Sequence, residues 1–144
     1  MEHDPLRIVR RYFDACEAGD ADEIRATLAP DVVHYFLPAR SAPIAGAQAL
    51  TDHWIRFKHA SDTHWTLDRI VAAGDDVVCE WSVVWTPRGM RARRMMRGCD
   101  WYGIRDGLIA EIRAYFAYDP AHDTELTGYP YASRGYASKG ADSA

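Results

Sequence analysis

The feature that most constrains the fold of this chain is a change of hydrophobic period after about residue 60. Before that point apolar residues recur at helical spacing, and after it they alternate with polar residues as strands do. The alternating segments are His64 to Ala73, Val77 to Thr86, Ala92 to Ile104 and Leu108 to Tyr118. They are separated by the turn-forming tripeptides Gly74-Asp75-Asp76, Pro87-Arg88-Gly89 and Arg105-Asp106-Gly107. The pattern predicts an antiparallel meander.

The first part of the chain predicts three helices and a further strand. Asp4 and Pro5 are typical of a helix start, and the apolar series that follows them stops at Gly19. The predicted elements are a helix from Pro5 to Ala18, a short helix from Asp20 to Pro30, a strand from Asp31 to Leu37 and a helix from about Ala47 to Lys58. The expected fold class is therefore α+β, with helices covering one face of a curved antiparallel sheet.

The end of the chain differs in composition from the rest. From residue 120 onward the apolar periodicity disappears, and Gly, Tyr, Ser and Ala dominate. We therefore expect one domain over residues 1–119 and a Gly/Tyr/Ser-rich tail over residues 120–144. The tail is either a flexible extension or a strap across a partner subunit.

Charge and cysteine content exclude several classes of function. The formal net charge of -4 argues against a nucleic-acid partner, and no apolar run is long enough to cross a membrane. Three cysteines without a CxxC pair favour a reducing, cytoplasmic location over a disulfide framework. His53 and His59 lack the i, i+4 spacing of a helical metal site, so we expect neither a metal nor another cofactor.

Several motifs give the chain a family resemblance. They are Val9-Arg10-Arg11-Tyr12, Glu17-Ala18-Gly19-Asp20, Leu28-Ala29-Pro30-Asp31-Val32, Cys99-Asp100-Trp101-Tyr102 and the segment from Ile109 to Phe116. Through them residues 5–119 resemble the nuclear transport factor 2-like superfamily, and in particular its SnoaL-like family. Relatives include ketosteroid isomerase, polyketide cyclases, limonene epoxide hydrolase and scytalone dehydratase. The resemblance implies a cystatin-like roll, in which a conical sheet and three helices enclose an apolar pocket, and frequent homodimerisation.

Side-chain alternation then assigns residues to the pocket wall. If Asp100 faces the pocket, every second residue on its strand does so too, and the same parity applies to the neighbouring strands. The predicted substrate-binding residues are Phe36, Trp54, Trp81, Val83, Met96, Tyr102, Ala114 and Phe116. A wall with this many aromatic side chains suits a flat, apolar ligand that carries an oxygen function.

Four residues are candidates for catalysis. Tyr12 and Asp100 match the two oxyanion donors of ketosteroid isomerase, so the resemblance implies that a protonated Asp100 donates beside Tyr12. The isomerase's base aspartate is replaced by Phe36, and the late-strand acid of the hydrolase and cyclase patterns is replaced by Ala114. His34, which shares a strand face with Phe36, or else His53 could supply the missing base. The alternative is that all four residues are structural.

The resulting functional hypothesis is a cofactor-free acid-base enzyme of isomerase, dehydratase or cyclase type. It would act on a small, apolar or aromatic, oxygenated compound. The alternatives are a non-catalytic ligand-binding protein of the same fold and an assembly module that only dimerises. In each case we expect a homodimer, because Trp101 and Tyr115 would otherwise form an exposed apolar patch on the outer sheet face.

Overall fold

The computed structural model describes residues 4–37, 41–117 and 124–134. The three helices are α1 (Pro5–Ala18), α2 (Ala21–Thr27) and α3 (Ala47–Ser61). The six strands are β1 (Leu28–Leu37), β2 (Ile44–Ala45), β3 (His64–Ala73), β4 (Asp76–Trp85), β5 (Arg94–Arg105) and β6 (Leu108–Phe116). The predicted end of the last strand at Tyr118 lies outside the described residues, as does the tail from residue 135 onward.

Local sequence signals explain the helix boundaries. The Asp4 carboxylate accepts a hydrogen bond from the Leu6 backbone N–H at 3.0 Å, and Gly19 ends α1 in the left-handed region with φ 71°. Asp20 caps α2 in the same way through the Glu23 N–H. The third helix extends to Ser61, beyond the predicted end at Lys58, because the apolar pattern weakens there before the backbone leaves the helix.

The sheet is mixed. Its order is β2-β1-β6-β5-β4-β3, and the four strands from β3 to β6 form the predicted antiparallel meander. However, β1 pairs with β6 in parallel, so the expectation of a purely antiparallel sheet misses this one pairing. Turn signals specify neighbours along the chain, whereas the partner of β1 is chosen by packing after α3 has intervened. The predicted α+β class, with three helices on a curved sheet, is confirmed.

The helices cover the concave face of the sheet. The inner side of α1 is buried through Val9, Tyr12 and Phe13, and these side chains share one hydrophobic cluster with the inner residues of the strands. The described part of the tail, residues 124–134, contacts the opposite, convex face, where Arg97 pairs with Glu125. No helix among the described residues is long and apolar enough to cross a membrane.

Candidate active site

A cavity of about 300 Å³ lies between the concave face of the sheet and helices α1 and α3. Every predicted site residue lines it. These are Tyr12, His34, Phe36, His53, Trp54, Trp81, Val83, Met96, Asp100, Tyr102, Ala114 and Phe116. The strand residues of this set lie on the faces that alternation assigned to the cavity, whereas Tyr12, His53 and Trp54 line it from α1 and α3.

Strand register explains how distant segments meet in this wall. Asp100 on β5 lies opposite Ala114 on β6, and Ala114 lies opposite Phe36 on β1. Two residues away along each strand, Tyr102 on β5 and His34 on β1 lie on either side of Ile112 on β6, and they form the next row of the wall. Side chains at every second position point to the same face, so both rows project into the cavity.

Sequence reasoning missed several wall residues. The cavity is also lined by Phe13, Cys16, Phe57, Trp65 and Trp85. The helical spacing held a usable signal for three of them. Phe13 and Cys16 lie one residue and one turn beyond Tyr12, and Phe57 lies one turn beyond His53.

Asp100 has two neutral hydrogen-bond donors. The carboxyl group is buried, and it accepts from Trp81 Nε1 at 2.7 Å and from Tyr102 Oη at 2.8 Å. Burial raises the pKa of Asp100 to about 6, although both hydrogen bonds oppose the shift. Asp100 is therefore a carboxyl group that changes charge just below neutral pH. The pKa is raised as expected, but a value of about 6 leaves Asp100 mostly ionised at pH 7 rather than protonated, and its direct partners are Trp81 and Tyr102 rather than Tyr12.

A glycine permits the contact between Trp81 and Asp100. Gly98 lies opposite Trp81 across β4 and β5, and a Cβ atom at Gly98 would lie 2.3 Å from the indole ring. The absence of a side chain lets the indole lie over β5, with its N–H directed at Asp100. No local pattern marks Gly98 for this role, because its backbone is ordinary strand.

Tyr12 forms a separate hydrogen bond on the helical side of the cavity. Its hydroxyl oxygen accepts from Trp54 Nε1 at 2.6 Å, and its ring packs edge-on against Tyr102 at 6.2 Å. Burial raises the pKa of Tyr12 well above its ordinary value, so the hydroxyl keeps its proton. A hydroxyl that accepts from an indole N–H becomes a stronger donor in turn.

The two histidines lie at the β1 and α3 side of the cavity. His34 is 2% exposed, and its ring lies 4.4 Å from that of Phe36 and 5.4 Å from that of Trp54. Burial, and then the neighbouring His53, lower the pKa of His34 to about 3. His53 is half-buried and stacks on Phe57, and its pKa is lowered by burial and then by Arg56. Both imidazoles are therefore neutral at pH 7.

The charged groups of the wall are few. Among the described residues that line the cavity, Asp100 is the only carboxyl group, and none is Lys or Arg. No group of three or more His, Cys, Asp or Glu side chains in the described ranges is placed to hold a metal ion. The chemistry available to the cavity is thus one titratable acid, two neutral imidazoles and hydroxyl and indole donors.

A family model for the SnoaL-like domain matches residues 9–112, which include most of this wall. The chain belongs to the SnoaL-like family. No curated protein matches this SnoaL-like chain. Phe36 and Ala114, the two positions at which the resemblance implied carboxylates in relatives, both line the cavity.

Solved structures share the SnoaL-like architecture. A protein of unknown function with a cystatin-like fold from Methylobium petroleophilum PM1 is 27% identical, with a TM-score of 0.70 over 92% of this chain and 90% of that one. An LEH-like epoxide hydrolase of M. tuberculosis is 23% identical, with a TM-score of 0.70 over 83% and 85%. A candidate ketosteroid isomerase from Kribbella flavida DSM 17836 is 23% identical, with a TM-score of 0.68 over 81% of each chain. At these last two identities the likeness shows the fold alone.

Proposed function

We propose that this protein binds a small, flat, largely apolar molecule with a carbonyl group, and that Asp100 moves a proton on that molecule without a cofactor. The observation that carries the proposal is the buried carboxyl group of Asp100. This group has a pKa of about 6, and it faces an aromatic cavity. A base whose pKa lies close to the working pH is well suited to proton transfer. The reaction would be of isomerase, dehydratase or cyclase type.

The size and lining of the cavity support the ligand class. An apolar cavity of about 150 Å³ holds a single benzene ring, and this cavity has a volume of about 300 Å³. A body of about two rings would therefore fit. The wall is built mainly of tryptophan, phenylalanine and tyrosine rings, which favour flat ligands through stacked and edge-on contacts.

The proposed chemistry begins with proton abstraction next to the carbonyl group. The ionised Asp100 takes a proton from the adjacent carbon, and the electron pair of the broken C–H bond forms an enolate. The Tyr12 hydroxyl, polarised by Trp54, donates to the enolate oxygen. Returning the proton to another carbon gives isomerisation, expelling a hydroxyl group as water gives dehydration, and attack on a second carbonyl gives cyclisation.

This scheme assigns the base differently from the sequence-based expectation. An imidazole with a pKa of about 3, as for His34, binds a proton too weakly to be an effective base at pH 7. The pKa of His53 is also lowered. Asp100 lies closer to the optimum, so we assign it the base role and leave the oxyanion to Tyr12.

Hydrogen-deuterium exchange at carbon tests the shared first step. We expect wild-type protein to accelerate α-proton exchange of 2-tetralone, a two-ring ketone, in D2O by about 10²- to 10⁴-fold over buffer. The rate should rise through pH 6 as Asp100 ionises, and Asp100→Asn should abolish the acceleration. Asp76→Asn, at the exposed start of β4 and outside the cavity lining, is the matched control. Exchange that is not accelerated, or that survives in Asp100→Asn, contradicts the proposal.

One observation favours a non-catalytic alternative. Both oxygens of Asp100 already accept hydrogen bonds from the protein, as in a carboxyl group held for structural reasons. In that case the cavity would bind the same class of ligand without transforming it. Saturable binding of 2-tetralone, seen as a change in tryptophan fluorescence, without accelerated exchange would select this alternative.

We also propose that the protein is a homodimer. Trp101 and Tyr115 are 39% and 48% exposed on the convex face, and Tyr35 lies in the same group of strands. Residues 124–134 contact another part of that face, through Arg97 and Asp68, and leave this aromatic patch open. A second copy of the chain would remove the patch from water.

A further inference from the structure

His34 contains a buried polar atom without a partner. Its Nδ1 is shielded from water and makes no hydrogen bond to another described residue, although the backbone of His34 itself lies close enough to raise the pKa of the ring. The Phe36 and Trp54 rings pack against it, and His53 lies close enough to lower its pKa. Buried polar atoms are paired in the great majority of cases, and leaving one unpaired is costly. An unpaired atom on a side chain that lines a cavity points to a partner that arrives with the ligand.

A ligand reaches the Nδ1 atom of His34 only when the ring turns, because this atom is shielded in the structure. His34 lines the cavity wall, and the torsion that turns an imidazole about its Cβ–Cγ bond is broad and roughly two-fold. A half-turn exchanges the Nδ1 edge for the opposite edge. Because the imidazole is neutral at pH 7, it has one N–H donor and one nitrogen acceptor. A hydroxyl group satisfies either nitrogen, since it can both donate and accept.

His34 and Asp100 lie on different strands of the wall, β1 and β5, with β6 between them. Asp100 lies opposite Ala114 on β6, and Ala114 lies opposite Phe36 on β1. Because His34 precedes Phe36 by two residues, it is two strands away from Asp100 and offset from it by two residues. Strand spacing and rise place their Cα atoms about 12 Å apart. Side chains on a concave face converge, so the polar tips are closer than this. A single small polar group near Asp100 would leave His34 without a partner.

We infer that His34 is a ligand-recognition residue and that the natural ligand carries two polar groups, one at each end of a flat body of about two rings. One group meets Asp100, and the other, a hydroxyl or an equivalent donor-acceptor, bonds the neutral imidazole of His34. This inference rests on the cavity being the ligand site of the proposed function. It assigns His34 to specificity rather than to proton abstraction.

A pair of naphthols tests the two-ended ligand. We expect wild-type protein to bind 2,6-dihydroxynaphthalene about fivefold to tenfold more tightly than 2-naphthol, the effect of one added hydrogen bond. His34→Phe should reduce this ratio to about one, whereas His59→Phe, at an exposed position of α3, should leave it unchanged. Dissociation constants from tryptophan fluorescence give both ratios. Equal binding of the two probes by wild type, no binding of either, or a ratio that survives in His34→Phe overturns the inference.

A second measurement does not depend on the variant folding. Side-chain ¹⁵N spectra of histidine-labelled wild-type protein should show the His34 ring resonances move with 2,6-dihydroxynaphthalene and not with 2-naphthol. Resonances that stay unchanged with both probes overturn the inference. The variant Asp100→Asn separates this inference from the proposed function. If it keeps the wild-type ratio of the two naphthol dissociation constants and no longer accelerates exchange of 2-tetralone, both proposals are supported. An unchanged ratio with retained exchange supports the role of His34 and rejects the proposed base.

Discussion

Each face of the sheet buries one carboxyl group, and the two groups have different hydrogen-bond and ion-pair partners. On the concave face Asp100 accepts only from the neutral donors Trp81 and Tyr102. On the convex face Asp68, whose side chain is 1% exposed, lies 3.8 Å from the Arg97 guanidinium and 3.1 Å from that of Arg134. Ser82 also donates to Asp68. The first carboxyl group has no cation among its hydrogen-bond partners, and the second has two close by.

The difference shows that ion pairs on the convex face hold the tail to the sheet, whereas neutral donors on the concave face leave Asp100 able to exchange a proton. On the convex face Arg97 and Arg134 pair with Asp68, so this carboxyl group belongs to the contacts that hold the tail on the sheet. Arg97 also forms a two-pronged pair with Glu125 and lies over the Tyr129 ring at 4.4 Å, which ties residues 124–134 to the sheet. Neutral donors hold Asp100 in place while burial raises its pKa, which leaves its proton available.

The largest effect is expected from breaking the convex network. Arg97→Met removes the guanidinium between two carboxylates, so we expect a loss of about 3 to 5 kcal/mol in the free energy of unfolding. Urea denaturation followed by circular dichroism measures it. Arg113→Met is the matched control, because this partly exposed arginine pairs with Glu111 and lies over the Trp101 ring, and its loss should cost about 0 to 1 kcal/mol. Equal losses in the two variants would mean that the convex network is not structural.

A smaller effect of the opposite sign is expected from Asp100→Asn. Because the folded-state pKa of Asp100 is about 6 against an ordinary 3.8, the folded protein holds this proton more tightly than the unfolded chain. The stabilisation is therefore complete below pH 4 and is lost as pH rises through 6. The variant should be more stable than wild type by about 3 kcal/mol at pH 7, with no difference near pH 4. A variant that is less stable at pH 7 would contradict this.

A still smaller effect is expected from Gly98→Ala, which tests what holds Asp100 in place. The new methyl group overlaps the Trp81 ring, so we expect a loss of about 1 to 3 kcal/mol in stability. The displaced indole also donates less well to Asp100, so the pKa of Asp100 should rise above its wild-type value of about 6 in a carboxyl NMR titration. Gly103→Ala, on the same strand, meets only the Glu111 Cβ at an ordinary 3.6 Å and should change neither quantity.

The smallest effect on folding is expected from Trp101→Glu, which probes the uncovered part of the convex face. We expect wild-type protein to scatter light as a dimer at micromolar concentration and the variant to scatter as a monomer, with the fold retained. Val71→Glu, at another exposed apolar position, should remain dimeric. A monomeric wild-type protein would reject the homodimer and leave the aromatic patch without an occupant.

Much of this architecture was readable from local patterns. The caps at Asp4 and Asp20, the three hairpin turns and the alternation along β4, β5 and β6 depend on neighbours in the sequence, and each appears in the structure. Alternation also placed the pocket wall, because a strand of period two has only two faces to choose from. The helical contribution was less complete, since Phe13, Cys16 and Phe57 were missed, and Trp65 on β3 was missed as well.

What the sequence by itself determined is therefore the set of elements and the faces of their side chains. Tertiary structure decided the parallel pairing of β1, the choice of Tyr102 and Trp81 over Tyr12 as the partners of Asp100, and the unpaired nitrogen of His34. The physical reason is that periodicity acts between residues close in sequence, whereas a hydrogen bond requires two side chains to meet at about 3 Å after packing has fixed their rotamers.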